Sequence, residues 1–327
     1  MHTEANEIHL SSAAVVVIPA HNEAAFIGGT LDSVRRYGPP HAQVIVVDNG
    51  STDDTAEIAT RHGANVVRIH SRLFPAAARN IGADTAKPPG SLLVFLDADV
   101  VLTPQWQTEW LAQIESLRIN PMQITGAAYD ISKQPSWIER VWFAPLRARK
   151  SSYVPGGNIV TTRALFSSLK GFDAKLETGE DVDLCNRAKR LGASVILNDG
   201  FKAHHEGFPK DIHRFIKRER WHGIGDFTTF QHAIRSRVVW ATAIFVTLHA
   251  IGIGTALYAA MAGSSFLPAW LCAAGIVALC LIGAKRAVGS NHIFSVGATA
   301  LMYIYLLGRT LSMWDALRRS LFPAHSS

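Results

Sequence analysis

The last 90 residues of this 327-residue chain are almost without charge: Lys285, Arg286, Arg309, Asp315, Arg318 and Arg319 are all that fall there of 58 Lys, Arg, Asp and Glu. An ordinary soluble domain is charged at about a quarter of its positions, so this segment is not one. The same scarcity argues against intrinsic disorder, which needs high charge and few apolar residues, and against a purely cytosolic monomer. Cysteine is nearly missing too. Cys185, Cys272 and Cys280 form no C-x-x-C pair, which excludes a zinc site of that kind and a disulfide framework. Cys272 and Cys280 lie in apolar sequence and read as small hydrophobes. No G-x-G-x-x-G follows the first apolar run, and no G-x-x-x-x-G-K-S/T occurs, so the glycine cradles of dehydrogenases and P-loop enzymes are absent. Any diphosphate would be held instead by a metal and by Arg or Lys. A secretory leader is not expected, because Met1 to Ser12 is polar and the first apolar run, Ala13 to Ile18, stops at Pro19. No internal repeat or low-complexity linker is present.

What is there falls into two parts. The first 237 residues carry 27 basic and 25 acidic side chains, the density of a soluble domain. Val15 to Ile18, Val44 to Val47, Val66 to Ile69 and Leu92 to Leu96 are short, β-branched-rich runs of the length of buried strands. Helix-sized segments separate them: Ala24 to Tyr37, Thr55 to His62, and one opened by Pro75 that runs to about Ala86. Further on, a helix follows Pro104 to about Ile119, then a strand over Gln123 to Tyr129, and a helix over Glu180 to Leu191. Alternating strands and helices predict an α/β fold with a mostly parallel sheet and helices on both faces. Ligands of such sheets sit at the carboxyl ends of the strands.

Carboxylates stand at those ends. Asp48 follows the second run and opens Asp-Asn-Gly-Ser-Thr-Asp-Asp, which can be a turn and cap or can accept hydrogen bonds from a base or ribose. Asp97-Ala98-Asp99 follows the fourth run. Strand alternation points both carboxylates the same way, and burying the pair is costly unless a cation or a partner meets it. Mg2+ commonly takes one or two carboxylates plus substrate phosphates. Glu180, Asp181 and Asp183 begin a helix, where acidic residues complement the dipole. That dipole lowers a carboxylate pKa, whereas a general base works best nearer neutrality. Burial or neighbouring carboxylates would have to offset it.

The tail reads as a membrane region. Val238 to Ala262 gives 25 residues without a charge and Phe266 to Ala284 another 19, each enough to span a bilayer core. Arg235, Arg237, Lys285 and Arg286 flank the outer ends of the pair, which predicts an inner-membrane, multi-pass protein with those ends and the N-terminal domain in the cytoplasm. Ile293 to Leu307 is only 15 residues long, and whether it spans is left open. Leu307, Leu311, Trp314, Leu317 and Leu321 fall at helical spacing opposite the charges and suit an interfacial helix. Lys202 to Arg237 holds eight basic and four acidic residues, with Ile212, Phe215 and Ile216 on one helical face, and is expected to meet anionic membrane lipids. The expected domains are 1–203, a basic amphipathic segment 204–237, and a membrane region 238–327. The tail supplies +4 of the net +6, so the basic excess is a topology signal and nucleic-acid binding is not expected.

Seven motifs in order carry a resemblance. They are Val17-Ile18-Pro19-Ala20-His21-Asn22-Glu23, Val47-Asp48-Asn49-Gly50-Ser51-Thr52-Asp53, Ala78-Arg79-Asn80-Ile81-Gly82 and Asp97-Ala98-Asp99. Gly156-Gly157-Asn158, Gly179-Glu180-Asp181 and Lys217-Arg218-Glu219-Arg220-Trp221 follow. Together, over about Ala13 to Trp221, they resemble the family 2 inverting glycosyltransferases of the Rossmann-like GT-A fold, in their membrane-anchored bacterial form.

The resemblance implies a nucleotide-sugar donor, a lipid-linked or glycan acceptor, and Mg2+ or Mn2+. It implies that Pro19 and Glu23 line the nucleoside pocket, with Asp48 on the base, Arg79 beside the nucleotide and Asp97 near the ribose. Asp99 would hold the metal, with His204 or His205, preferably His205, as a further ligand. Asp181 would be the base that deprotonates the acceptor hydroxyl. Gly157, Asn158, Glu180 and Trp221 would serve the acceptor, and Arg220 the donor diphosphate. One departure is Lys217 where processive polysaccharide synthases have Gln, which together with the small membrane region points to single transfer. Transfer directly to polyprenyl phosphate, and an inactive membrane scaffold, are the alternatives.

Overall fold

The computed structural model describes residues 14–86, 92–147, 151–227, 230–288 and 296–321. The polar opening Met1 to Ser12 and residues 293–295 of the third apolar run lie outside the described residues, as do the side chains of Arg319 and Leu321. The chain divides into two compact units, one formed by Met1–Lys133 and Arg149–Phe208, the other by Gln134–Ala148 and Pro209–Ser327. The boundary expected at 203/204 thus falls at Phe208/Pro209, and Gln134–Ala148, expected inside the first domain, groups with the second unit.

In the first unit, the strands are β1 (Ala14–Ala20), β2 (Gln43–Asn49), β3 (Asn65–Ile69), β4 (Leu92–Leu96), β5 (Val100–Leu102), β6 (Gln123–Gly126), β7 (Asn158–Thr162), β8 (Ser194–Leu197) and β9 (Ala203–His205). Seven of them form one sheet in the order β3-β2-β1-β4-β7-β6-β8. β1, β2, β3 and β4 run parallel, and β7 is antiparallel to both β4 and β6. Alternating residues feed two cores. Ala14, Val16 and Ile18 of β1, with Leu92, Val94 and Leu96 of β4, pack under α1 (Ile27–Tyr37) and α2 (Thr55–Arg61). Val15, Val17, Leu93 and Phe95 face α3 (Pro75–Thr85) on the other side. Both faces being covered is why these strands are apolar throughout rather than alternating.

The strand expected over Gln123 to Tyr129 ends at Gly126, whose φ of +147° takes the chain out of the sheet. A second sheet of two strands was not expected: β5 pairs antiparallel with β9 in the register Val100 to His205. The remaining helices of this unit are α4 (Pro104–Ile119), with Trp106 and Trp110 stacked in the first core, then α6 (Arg163–Ser168) and α7 (Glu180–Arg190) in the second; the short α5 (Ala144–Arg147) belongs to the other unit.

The second unit contains α8 (Ile212–His222), α9 (Phe230–Arg235), α10 (Arg237–Ala262), α11 (Leu267–Val288) and α12 (Val296–Leu321). Among the described residues two helices are long and apolar enough to cross a membrane, Arg237–Ala262 and Leu267–Ala287. The third run is absorbed into α12, where Arg309 is buried and paired with Glu219 and Asp226 at 3.2 and 3.1 Å. The face of α12 directed at α8 is thus the polar one. Leu311, Trp314 and Leu317 of the apolar stripe are exposed. On α8, Phe215 is buried edge-on against Trp142, and Ile212 is exposed. That face, expected to lie on lipid, is therefore partly occupied by protein.

Gly82 decides how near α3 comes to the sheet. A Cβ there would overlap Val17 Cγ1 and press on Val47. Gly82→Ala is expected to destabilise the protein by about 1–3 kcal/mol, as overpacked cores do. Denaturant unfolding of the detergent-solubilised protein measures it, and an unchanged midpoint would show that the helix recedes freely.

Candidate functional site

The loops after β1 and β2 are stitched together. Asn22, at φ +56°, accepts the Thr52 N–H at 2.8 Å, while Glu23 N–H donates to Thr55 Oγ1 and Ala24 N–H to Asp53. Asp48, buried at the end of β2, accepts the Ser51 N–H at 3.2 Å, and half-buried Pro19 pairs beside it through Val47. Glu23 is pushed up to about 8, first by burial and then by the Asp99 and Asp97 carboxylates. Its carboxyl therefore stays protonated at neutral pH and is a hydrogen-bond donor.

Arg79 sits at the centre. α3 delivers it to the end of β4, where Nη2 donates to Asp97 Oδ1 at 2.7 Å and Nη1 to Glu180 Oε1 at 2.6 Å. The guanidinium is 4% exposed and lies over the Phe172 ring. Burial works against its charge, but the Asp97 and Glu180 carboxylates outweigh that and raise its pKa. Glu180, expected on the acceptor, is thus engaged in holding Arg79.

Asp99 and His205 meet because β5 and β9 pair. Thr30 of α1 donates to Ala98 O at 2.7 Å and Glu206 N–H to Asp99 O at 2.8 Å, which fixes the loop between β4 and β5. His205 Nδ1 then lies 3.5 Å from Asp99 Oδ2, and one ligand atom from each of Asp97, Asp99 and His205 falls within 4.8 Å of the others. His204 bonds the Ile131 carbonyl instead. The site fits a divalent cation: two hard carboxylate donors face an imidazole whose buried Nδ1 makes no hydrogen bond among the described residues. Gly157 and Gly207 leave room for the two carboxylates, since a Cβ on either would overlap Asp97 Oδ2 or Asp99 Oδ2 respectively.

Asp181 opens α7 on the other side of Arg79. Gly156 N–H donates to its Oδ2 at 3.0 Å and Val182 N–H to Oδ1 at 2.8 Å. Its pKa is nonetheless pushed up to about 6, by burial first and then by Glu180. This answers the conflict posed by the helix dipole: desolvation exceeds it.

Other expected residues lie elsewhere. Asn158 is fully buried, its amide donating to Phe201 O and Ala127 O and accepting from Trp106 Nε1, so it braces the sheet end and does not present its side chain to an acceptor. Arg220 and Trp221 belong to the second unit; Arg220 is clasped by Asp315 through two bonds of 2.6 and 2.7 Å, and Trp221 is exposed. Tyr129 was missed. Its phenol accepts the Gly157 N–H at 2.8 Å and stands 3.4 Å from Asp97 Oδ2. Only its place just past a strand hinted at it.

A mostly parallel sheet with carboxylates at its strand ends, followed by apolar helices, defines the class of GT-A glycosyltransferase folds. The mannosyltransferase PcManGT of Pyrobaculum calidifontis, solved with GDP-Man and Mn2+, shares this fold at a TM-score of 0.56 and 22% identity, over 93% of this chain and 87% of its own. The family described as "Glycosyl transferase family 2" matches residues 15–166, and "Glycosyl transferase family group 2" matches residues 93–307. The chain belongs to the family 2 glycosyltransferases. It is 29% identical to the amylovoran biosynthesis glycosyltransferase AmsB of Erwinia amylovora, over 56% of this chain and 65% of that protein. It is also 29% identical to the pre-mycofactocin glycosyltransferase of Mycobacterium tuberculosis, over 55% of this chain and 40% of that one. The match thus spans less than two thirds of either relative.

The raised carboxyls set a pH dependence of stability. Between its unfolded pKa of 3.8 and its folded value of about 6, Asp181 is protonated in the native state and ionised in the unfolded one. Stability is greatest below this window and falls as pH rises through it. Asp181→Asn removes the penalty and is expected to stabilise the protein by about 1–3 kcal/mol at pH 7.5. Unfolding in EDTA at pH 5 and pH 7.5 tests this; equal stability of the two proteins at pH 7.5 would refute it.

Proposed function

We propose that this protein is a metal-dependent, inverting glycosyltransferase that moves a single sugar from a nucleoside diphosphate to a hydroxyl of a lipid-linked acceptor. The observation that carries the reading is the arrangement around Arg79, with the Asp99–His205 pair on one side and an Asp181 near neutrality on the other. Pro19, Glu23 and Asp48 form the nucleoside side, with protonated Glu23 as a donor, and Asp97 lies toward the ribose. Asp99 and His205, with Asp97, would hold Mg2+ or Mn2+, which offsets the charge growing on a departing diphosphate when bound. Asp181 takes the proton of the acceptor hydroxyl as it attacks the anomeric carbon. The printed ligands of PcManGT, GDP-Man and Mn2+, support the donor class and the metal.

The acceptor follows from the rest of the chain. Two membrane-length helices tether it to a bilayer, where a lipid-linked acceptor is concentrated. Their basic flanks, Arg235, Arg237, Lys285 and Arg286, support a cytoplasmic-membrane location with the donor site on the cytoplasmic side.

A screen of nucleotide sugars with Mg2+ or Mn2+ and membrane lipid extract, read out as labelled lipid, tests the proposal. Transfer only to soluble acceptors would end the lipid-linked reading. The rate is expected to rise with pH through about 6, as Asp181 ionises. Asp181→Asn should lower it by at least about a hundredfold, the usual scale of a lost base. Retention of most of the rate would point to polyprenyl phosphate as the acceptor, because a phosphate oxygen needs no base.

A further inference from the structure

Tyr129 reaches two of the three groups that could hold the cation, and by different parts of its side chain. The Gly157 N–H donates to its oxygen at 2.8 Å, which commits the phenol's own proton elsewhere; Asp97 Oδ2, 3.4 Å away, is in range to accept it. The ring meets that of His205 edge-on, with centroids 5.1 Å apart, and His205 is stacked on Phe208 at 4.2 Å. Asp97 Oδ1 is already tied to Arg79. The two oxygens turn together about the Cβ–Cγ bond, so the guanidinium on Oδ1 and the phenol beside Oδ2 hold a single rotation from both ends.

We infer that Tyr129 is a positioning residue for the divalent-cation site, its hydroxyl setting the rotation of the Asp97 carboxylate and its ring fixing the plane of His205. The inference rests on the metal reading proposed above. An ordinary core tyrosine would bury its ring and find any one partner for its hydroxyl. Here the hydroxyl links the Gly157 backbone to one prospective ligand while the ring abuts another. Groups that orient ligands from outside the coordination sphere change metal affinity by about 10–100-fold when removed. The long Tyr129–Asp97 contact places this one at the lower end.

The test titrates Mn2+ by electron paramagnetic resonance into the full-length protein in detergent, with UDP or GDP present as probes. Wild type, Tyr129→Phe, Tyr129→Leu and Asp99→Asn are compared. Tyr129→Phe keeps the ring against His205 and loses the hydroxyl; its Mn2+ affinity is expected to fall about tenfold. Tyr129→Leu loses both contacts and falls further. Binding of UDP and GDP in EDTA stays as in wild type for Tyr129→Phe, and its transfer rate returns at high Mn2+, neither of which a merely structural defect would produce. Wild-type Mn2+ affinity in both Tyr129 variants overturns the inference and leaves the metal reading standing. A wild type that binds Mn2+ no better than Asp99→Asn overturns the metal reading, and this inference with it.

Discussion

A buried guanidinium between two carboxylates is the constraint on which the site depends. Arg79 is almost fully enclosed, and an unpaired charge there would cost several kcal/mol. Its charge is tolerable because Asp97, at the end of β4, and Glu180, at the start of α7, both bond it. Those two segments are far apart in the first unit's sequence, so one side chain ties the strand-end carboxylates to the helix that carries Asp181. The small residues around it follow from the same need. Gly82 lets α3 approach the sheet closely enough to deliver Arg79, and Gly157 yields the space that Asp97 occupies.

Electrostatics then separates the carboxyls by task. Five acidic side chains near one another cannot all be ionised in a partly desolvated cleft without compensation. Arg79 supplies the compensation for Asp97 and Glu180. Asp99 lies against an imidazole. Glu23 and Asp181 have no cation so close, and burial drives both upward, to about 8 and about 6. The raised pKa values of Glu23 and Asp181 therefore follow from burial and from neighbouring carboxylates that the single guanidinium does not offset in full.

The second unit solves a different problem. Two helices are apolar along their length, as a bilayer requires, while α12 carries Arg309 and Asp315. Arg309 is matched by Glu219 and Asp226, and Asp315 by Arg220, so these two charges are met by α8 and its flank, while Leu311, Trp314 and Leu317 are exposed and Leu301, Met302 and Leu306 are buried.

Much of this was legible in the chain itself. The four apolar runs marked β1 to β4; β1, β2 and β4 are buried on both faces and need no polar alternation, whereas β3 at the sheet edge is half exposed. The carboxylates after these runs followed from where such sheets bind ligands. The two charge-free stretches marked the membrane-length helices by length alone. Local pattern did not reach what depends on pairing between distant segments. β5 and β9 are three residues each and carry no periodicity, yet their pairing is what selects His205 over His204. Asn158 and Glu180 carried motif identity, but only packing decided that one braces the sheet and the other holds Arg79. Tyr129 had no motif, and the grouping of Gln134–Ala148 with the second unit had no boundary signal. Residue type and spacing determined which groups could do chemistry; burial and long-range pairing, which sequence order does not encode, decided which of them meet.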